Sequence, residues 1–202
     1  MGRSKGHDLD DGTHTRVKID LFPEYIRNLP AEKRALWDVV GRALCSEPVK
    51  QAFFRRLTPG LSKRFGPDFA KVGMFPIPIP ILTRDIPGYL ITPHTDTRLK
   101  GITVQLYLPE DANNTDIGTI FHEVKPDGSM PKHTQMRFAP NTGYAFTVGT
   151  DTWHSADAVH NRVKTRDSIL LTYFVDQGLL KFLRNRGKRL GNFLLNEFRH
   201  WF

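Results

Sequence analysis

The sequence contains a single cysteine, Cys45, among 202 residues. One thiol excludes an intramolecular disulfide and a thiolate-rich zinc site, and it fits a reducing compartment such as the cytoplasm best. The sequence also lacks an apolar run long enough to span a bilayer, and its first residues, MGRSKGHDLDDGTHTR, are polar where a secretory signal would be hydrophobic. We therefore expect a soluble chain or one attached to a membrane surface.

Acidic residues are outnumbered, with 21 Asp and Glu against 29 Lys and Arg, which gives a net charge of +8. This excess favours an anionic partner, such as a small metabolite, an acidic sugar, nucleic acid or a membrane surface. Part of the excess lies in the stretch 176–202, where apolar and basic residues alternate as in an amphipathic helix. That helix is a candidate for peripheral membrane contact, for packing on the sheet or for a dimer contact, and a plain solvated helix face is the simpler interpretation.

The chain is long enough for one substantial hydrophobic core, so we predict a single domain over 1–202. Residues 1–20 are predicted to form a flexible polar lead, and 21–83 a helical support region. Within the latter, Leu29 to Leu57 has helical spacing that should break near Pro48. The segment 74–88, MFPIPIPILTRDIPG, is too rich in proline for a helix or a central strand and should run extended.

Short runs of β-branched and aromatic residues, separated by turn residues, follow one another through the predicted core, 84–175. They indicate an antiparallel sandwich or jelly roll, so the fold class is mainly β with flanking helices. The seven strand candidates are GYLITPHTD, GITVQLYLPE, GTIFHEVK, TQMRFAP, GYAFTVGT, TWHSADAV and SILLTYFV. Beyond them, 176–202 returns to helical spacing.

A candidate metal site begins with His94 and Asp96. Residues two apart on a strand project to one face, so the imidazole and the carboxylate would converge. Two imidazoles and one carboxylate are the facial set that non-haem Fe(II) oxygenases use. The candidates for the second imidazole are His122, His133, His154 and His160.

The order His94-x-Asp96, several strands, His154 and then Arg166-Asp-Ser-Ile-Leu-Leu-Thr-Tyr-Phe resembles the Fe(II) and 2-oxoglutarate-dependent oxygenases, in particular the branch similar to prolyl 4-hydroxylases. The resemblance covers about residues 84–175. It implies a double-stranded β-helix (jelly roll, cupin-like) core, with His94, Asp96 and His154 as metal ligands. It also implies Fe(II), O₂ and the co-substrate 2-oxoglutarate as requirements, with ascorbate as a further candidate cofactor.

The same resemblance implies that Arg166, which opens the last core strand, binds the distal carboxylate of 2-oxoglutarate, for which a planar guanidinium is well suited. Arg162, in the preceding turn, is the competing residue. The other candidates for the co-substrate pocket are Tyr107, Gln105 and Ser168, with Arg84 and Tyr89 as weaker ones; Thr103, Gln105 and Tyr107 should share the inner face of one strand.

The implied activity is hydroxylation of a C–H bond with formation of succinate and CO₂, and the presence of Asp96 favours hydroxylation over halogenation. The predicted substrate is a small molecule or sugar, preferably anionic. Three alternatives stay open: a peptidyl-prolyl hydroxylase, a cupin-like isomerase or epimerase, and a basic nucleic-acid-binding β module. The sequence does not favour a nucleic-acid partner. The sequence does not determine the oligomeric state.

Overall fold

The computed structural model describes residues 14–71, 78–160 and 163–175 of the chain. The helices are α1 (Pro23–Ile26), α2 (Ala31–Leu44), α3 (Glu47–Arg56) and α4 (Thr58–Phe65), with short 3₁₀ turns at Phe69–Lys71 and Thr115–Ile117. The strands are β1 (Arg16–Asp20), β2 (Ile79–Asp85), β3 (Ile91–His94), β4 (Lys100–Tyr107), β5 (Ile120–His122), β6 (Lys132–Gln135), β7 (Gly143–Thr147), β8 (His154–Ala156) and β9 (Arg166–Phe174).

In the described part of the chain, nine strands form two antiparallel sheets. The first has the order β1-β2-β9-β4-β7 and the second the order β3-β8-β5-β6. Rings from the two sheets meet: Phe146 on β7 lies 5.2 Å from His154 on β8, measured between ring centroids. Strands that alternate between two facing sheets in this order form a double-stranded β-helix, or jelly roll. The predicted fold class is confirmed, and all seven strand candidates form strands.

The helical region breaks where the sequence predicts. α2 ends at Leu44, and α3 begins at Glu47 with Pro48 in its first turn. Proline is tolerated there because the first N–H groups of a helix have no partner within the helix. α3 and α4 then place Phe53, Leu57 and Leu61 against the first sheet.

Two predictions about the first part of the chain are wrong. Residues Arg16–Asp20 are β1 rather than part of a flexible lead, and the proline-rich segment contributes β2, which lies between β1 and β9. Pro80 is tolerated in β2 because its carbonyl accepts a bond from the Leu21 amide, on the β1 side of the strand. The N–H that proline lacks would point to the same side, where β1 has already ended. Its absence therefore removes no hydrogen bond to β9. The strands of the first sheet therefore begin at Arg16, ahead of the helices.

The two faces of the first sheet differ in chemistry. On β4, Ile102 and Val104 face the helices and form a core with Leu61, Leu171 and Tyr173. The alternate residues of the same strand, Thr103, Gln105 and Tyr107, face the second sheet and are also buried. Strand alternation thus lines the interior of the jelly roll with polar groups, and the prediction that these three residues share an inner face is confirmed.

Some predictions concern residues that the structure does not describe. The flexible lead at 1–13, Arg162 and the basic helix at 176–202 lie outside the described residues. In the part of the chain that is described, no helix combines the length and apolar character needed to cross a membrane.

Candidate metal centre

Two histidines face each other across neighbouring strands of the second sheet. His94 is the last residue of β3, His154 is the first of β8, and the two are direct partners in the antiparallel ladder. Their ring centroids are 4.3 Å apart. Within the described ranges, these two imidazoles and Asp96 form the one group of three potential metal ligands, and their ligand atoms lie within 4.8 Å of one another.

Asp96 reaches the histidines from a loop. β3 ends at His94, so strand alternation, the reason given by the sequence for the pairing of His94 and Asp96, does not apply. The Asp96 carboxylate is instead held by two side chains of β4: Lys100 Nζ donates to Oδ1 at 2.5 Å and Thr103 Oγ1 donates to Oδ2 at 2.7 Å. Burial opposes ionisation of Asp96, but the charge and hydrogen bond of Lys100, with that of Thr103, hold its pKa below the usual value.

Backbone carbonyls select the ring nitrogen that each histidine offers. His94 Nδ1 lies 2.9 Å from the Thr92 carbonyl oxygen, and His154 Nδ1 lies 3.0 Å from that of Thr152. A carbonyl only accepts, so each Nδ1 donates to it, and in the neutral tautomer the lone pair that a metal would bind lies on Nε2. Burial also lowers the pKa of His154, which favours the neutral form that metals bind. Two neutral imidazoles and a carboxylate fit Fe(II).

The other three histidine candidates are placed differently. His122 Nε2 lies 2.7 Å from Ser155 Oγ and its Nδ1 lies 3.1 Å from the Met130 carbonyl oxygen, so both nitrogens are engaged away from the triad. His133 and His160 are exposed.

An aromatic wall encloses the triad on the β7 side. The His154 ring contacts Phe146 at 5.2 Å and Phe121 at 6.1 Å between centroids. Tyr144 stacks on Phe146 at 6.1 Å and meets Phe121 edge to face at 5.3 Å. These rings limit the access of water to that side of the site.

A hydrogen-bond network occupies the interior next to this wall, and Gln105 is its centre. Gln105 Nε2 donates to Ser168 Oγ at 2.8 Å, while its Oε1 accepts from the Tyr144 hydroxyl at 2.5 Å and from Thr119 Oγ1 at 3.1 Å. The Tyr107 hydroxyl accepts from the Thr119 amide at 2.8 Å. The structure thus brings together the three predicted pocket residues Gln105, Tyr107 and Ser168.

Arg166 lies in the same interior, but it already has a carboxylate partner. Its Nε and one terminal nitrogen donate to Oδ2 of Asp85 at 3.1 and 3.0 Å, and the other terminal nitrogen donates to the Ile117 carbonyl at 2.8 Å. The guanidinium also lies 5.1 Å from the ring centroid of Tyr89. By contrast, Arg84 pairs with Asp167 on the exposed face, away from the interior.

Sequence reasoning missed four residues of this interior: Arg16, Asp85, Thr119 and Tyr144. Alternation offered a signal for Tyr144, because it shares a strand face with Phe146 in GYAFT. No comparable signal identified Asp85 or Arg16, since their strands were not predicted.

Arg64 connects helix α4 to the segments next to Asp96 and His154. Its guanidinium donates to the carbonyls of Arg98 at 2.7 Å, Lys100 at 2.6 Å and Val148. The first two carbonyls follow Asp96 in the chain, and the third precedes His154. α4 is thereby fixed to the segment that follows Asp96 and to the segment that precedes His154. A cavity of about 650 Å³ lies beside this contact, lined in part by Lys63, Arg64, Arg98 and Phe146.

We expect Arg64→Met to reduce the free energy of unfolding by roughly 1.5–3 kcal/mol, because three carbonyls lose a charged donor. We also expect weaker Fe(II) binding, since the loops around Asp96 and His154 lose their anchor. Chemical denaturation and metal titration measure the two effects. The matched control is Lys63→Met on the same helix, where the exposed ion pair with Asp151 should matter little. Equal effects of both substitutions would contradict the assignment.

The chain matches no family model and no curated protein sequence. Solved structures are similar to it at low identity. A Pseudomonas putida prolyl-4-hydroxylase is 16% identical, with 83% of this chain and 96% of that one covered and a TM-score of 0.41. An oxidoreductase of the 2OG-Fe(II) oxygenase family from Burkholderia pseudomallei is 21% identical over 58% of this chain, with a TM-score of 0.36, and the chain spans about half of its length (53%). The non-haem α-ketoglutarate-dependent epimerase SnoN from nogalamycin biosynthesis is 18% identical, with 80% and 78% covered and a TM-score of 0.38.

Proposed function

We propose that this chain is an Fe(II)- and 2-oxoglutarate-dependent dioxygenase that hydroxylates a C–H bond of a small, anionic substrate. The observation that carries the proposal is the convergence of His94, Asp96 and His154, whose ligand atoms lie within 4.8 Å of one another inside a jelly roll. When bound, the iron with 2-oxoglutarate and O₂ supplies an oxidation in which one oxygen atom enters the substrate and the other enters succinate, with release of CO₂.

The protein's part in this reaction is to hold the metal and to exclude water from the site. His94 and His154 offer Nε2 because the Thr92 and Thr152 carbonyls hold the Nδ1 protons. Lys100 and Thr103 fix the Asp96 carboxylate, which restricts the direction in which its oxygens point. A metal held by these three residues would have coordination positions open for the co-substrate and O₂.

The charges around the site support an anionic substrate, either a small acid or an acidic sugar. Lys100 lies against Asp96, and the 650 Å³ cavity beside the ligand loops has Lys63, Arg64 and Arg98 in its wall against one acid, Asp151. Arg98 is exposed there, two residues after Asp96. Comparing turnover of anionic and neutral members of one metabolite panel tests this part; equal coupling of both to succinate formation would contradict it.

Anaerobic addition of Fe(II) and 2-oxoglutarate to the full-length protein tests the metal and the co-substrate together. We expect a weak visible charge-transfer absorption that appears only when both are present. His94→Ala, which removes one ligand, should lack the band, and His133→Ala, an exposed histidine, should keep it. Tight Fe(II) binding without the band would contradict the co-substrate assignment.

The pairing of Arg166 with Asp85 favours a second candidate, a cupin-like metal enzyme that needs no 2-oxoglutarate, such as an isomerase or epimerase. In that case the guanidinium would be a structural partner of Asp85 and nothing more. The absence of the charge-transfer band from a metal-loaded, folded protein is the result that this second candidate predicts.

A further inference from the structure

Two arginines share one carboxylate, that of Asp85, at the last residue of β2. Asp85 is fully buried, and it pairs in register with Arg16 of β1 on one side and with Arg166 of β9 on the other. Arg16 is bidentate: its Nε donates to Oδ1 at 2.5 Å and a terminal nitrogen donates to Oδ2 at 2.8 Å. Arg166 donates to Oδ2 alone. Arg16 therefore binds both oxygens of Asp85, whereas Arg166 binds only one.

Among the residues that the structure describes, the cluster carries two positive charges and one negative charge, so one positive charge remains in a buried place. The side chains of Arg16 and Arg166 are 12% and 4% exposed, which leaves little room for water to stabilise that charge. Tyr89 offsets part of the cost, because both guanidiniums lie close to its ring, at 4.0 and 5.1 Å from the centroid. A buried excess cation is an attractive partner for a further anion.

The cluster adjoins the polar interior of the jelly roll: Arg166 shares a face of β9 with Ser168, whose Oγ accepts from Gln105 Nε2 at 2.8 Å. Burial raises the pKa of Tyr144, the Asp96 charge adds to the rise, and the Arg166 charge opposes it. The Tyr144 hydroxyl donates to Gln105 Oε1 at 2.5 Å, so Gln105 joins the aromatic wall to the β9 face that carries Ser168 and Arg166. Arg166 likewise acts on Tyr107, whose hydroxyl belongs to the interior network.

We infer that Arg16 is a positioning residue for co-substrate binding: by neutralising Asp85, it leaves the charge of Arg166 available to the distal carboxylate of 2-oxoglutarate. The inference rests on the proposed function. Without Arg16, the buried Asp85 would neutralise Arg166, and a second carboxylate would meet no net attraction. β1 would then be part of the co-substrate site, although it precedes the helices and lies outside the segment with the recognisable motif.

Two ligands that differ only in the distal carboxylate isolate this effect. 2-Oxoglutarate and 2-oxovalerate have the same five-carbon 2-oxo acid skeleton, and only the first has the second carboxylate. The dissociation constants of both are measured by anaerobic calorimetry on the Fe(II)-loaded, full-length protein. The ratio of the two constants reports the attraction for the distal carboxylate, and a general loss of folding or metal binding would change both constants together.

We expect Arg16→Met to reduce the preference for 2-oxoglutarate by at least about tenfold, the size of one charge-assisted hydrogen bond. We expect the double variant Arg16→Met with Asp85→Asn to regain most of the preference, because Arg166 then has no internal carboxylate partner. Arg84→Met is the matched control: it removes an arginine paired with Asp167 on the exposed face of the same two strands and should leave the ratio unchanged.

An unchanged ratio in Arg16→Met would overturn the inference while leaving the proposed function intact. If that variant does not fold, the double variant decides, since a loss of preference there would show that charge balance is not the cause. A wild-type protein without any preference for 2-oxoglutarate would instead overturn the co-substrate assignment itself, and the inference with it.

Discussion

Replacing His154 with alanine should weaken Fe(II) binding by more than about a hundredfold, since the loss of residues that merely orient a metal ligand already costs up to that factor. The imidazole is 8% exposed, and the Thr152 carbonyl fixes its orientation. Water entering the space would supply a weaker ligand than Nε2. The measurement is anaerobic titration with Fe(II), or with a colourless divalent ion in competition with a chelating dye.

His133→Ala is the control for this experiment, because the His133 side chain is exposed and lies on β6, which β5 separates from β8 in the second sheet. It should bind metal as the wild type does. If the two alanine variants had similar affinities, the metal centre would have to be placed elsewhere.

Replacing Asp85 with alanine should reduce the free energy of unfolding by roughly 3–5 kcal/mol, the range for breaking a buried ion pair by removing one partner. The substitution leaves Arg16 and Arg166 as two buried like charges with no carboxylate between them. Such a loss is a large part of the stability of a domain of this size. Equilibrium unfolding in urea measures it, with the unfolding slope compared between variants.

Asp167→Ala is the matched substitution for this prediction. Asp167 also pairs with an arginine through both of its oxygens, but its partner Arg84 is 57% exposed. An exposed pair of this kind contributes no more than about 1 kcal/mol. Comparable losses in the two variants would mean that burial does not govern the effect at Asp85.

The strands were predictable where their sequence pattern was long enough to recognise and contained no cluster of prolines. The runs that became β3–β9 alternate or cluster β-branched residues between turns, and all seven formed strands. β2 was missed because three prolines within 74–80 count against a central strand. The reason that Pro80 is tolerated is the early end of β1, which is a tertiary feature. β1 was missed because five residues beside a polar stretch give too little pattern.

The candidate site was likewise predictable only in part. His94, Asp96 and His154 were singled out by residue type and order, and the structure brings them together, while their binding of iron stays a prediction. Arg166 is buried in the interior, its role toward 2-oxoglutarate stays a prediction, and its partner Asp85 was not foreseen. Asp85 and Arg16 become neighbours of Arg166 only through the pairing of β1, β2 and β9, which local sequence does not specify.

The opposite faces of the first sheet have a consequence for how this protein can diversify. Two hydrophobic clusters pack on these opposite faces: Ile102, Val104 and Leu171 meet the helices, while Tyr107, Ile117 and Phe138 belong to a second cluster in the interior. The inward positions of β4 also make buried hydrogen bonds, since Thr103 donates to Asp96 and Gln105 donates to Ser168. A library at the inward positions of β4 should therefore lose stability as well as change selectivity, whereas one at the helix-facing positions should lose stability alone.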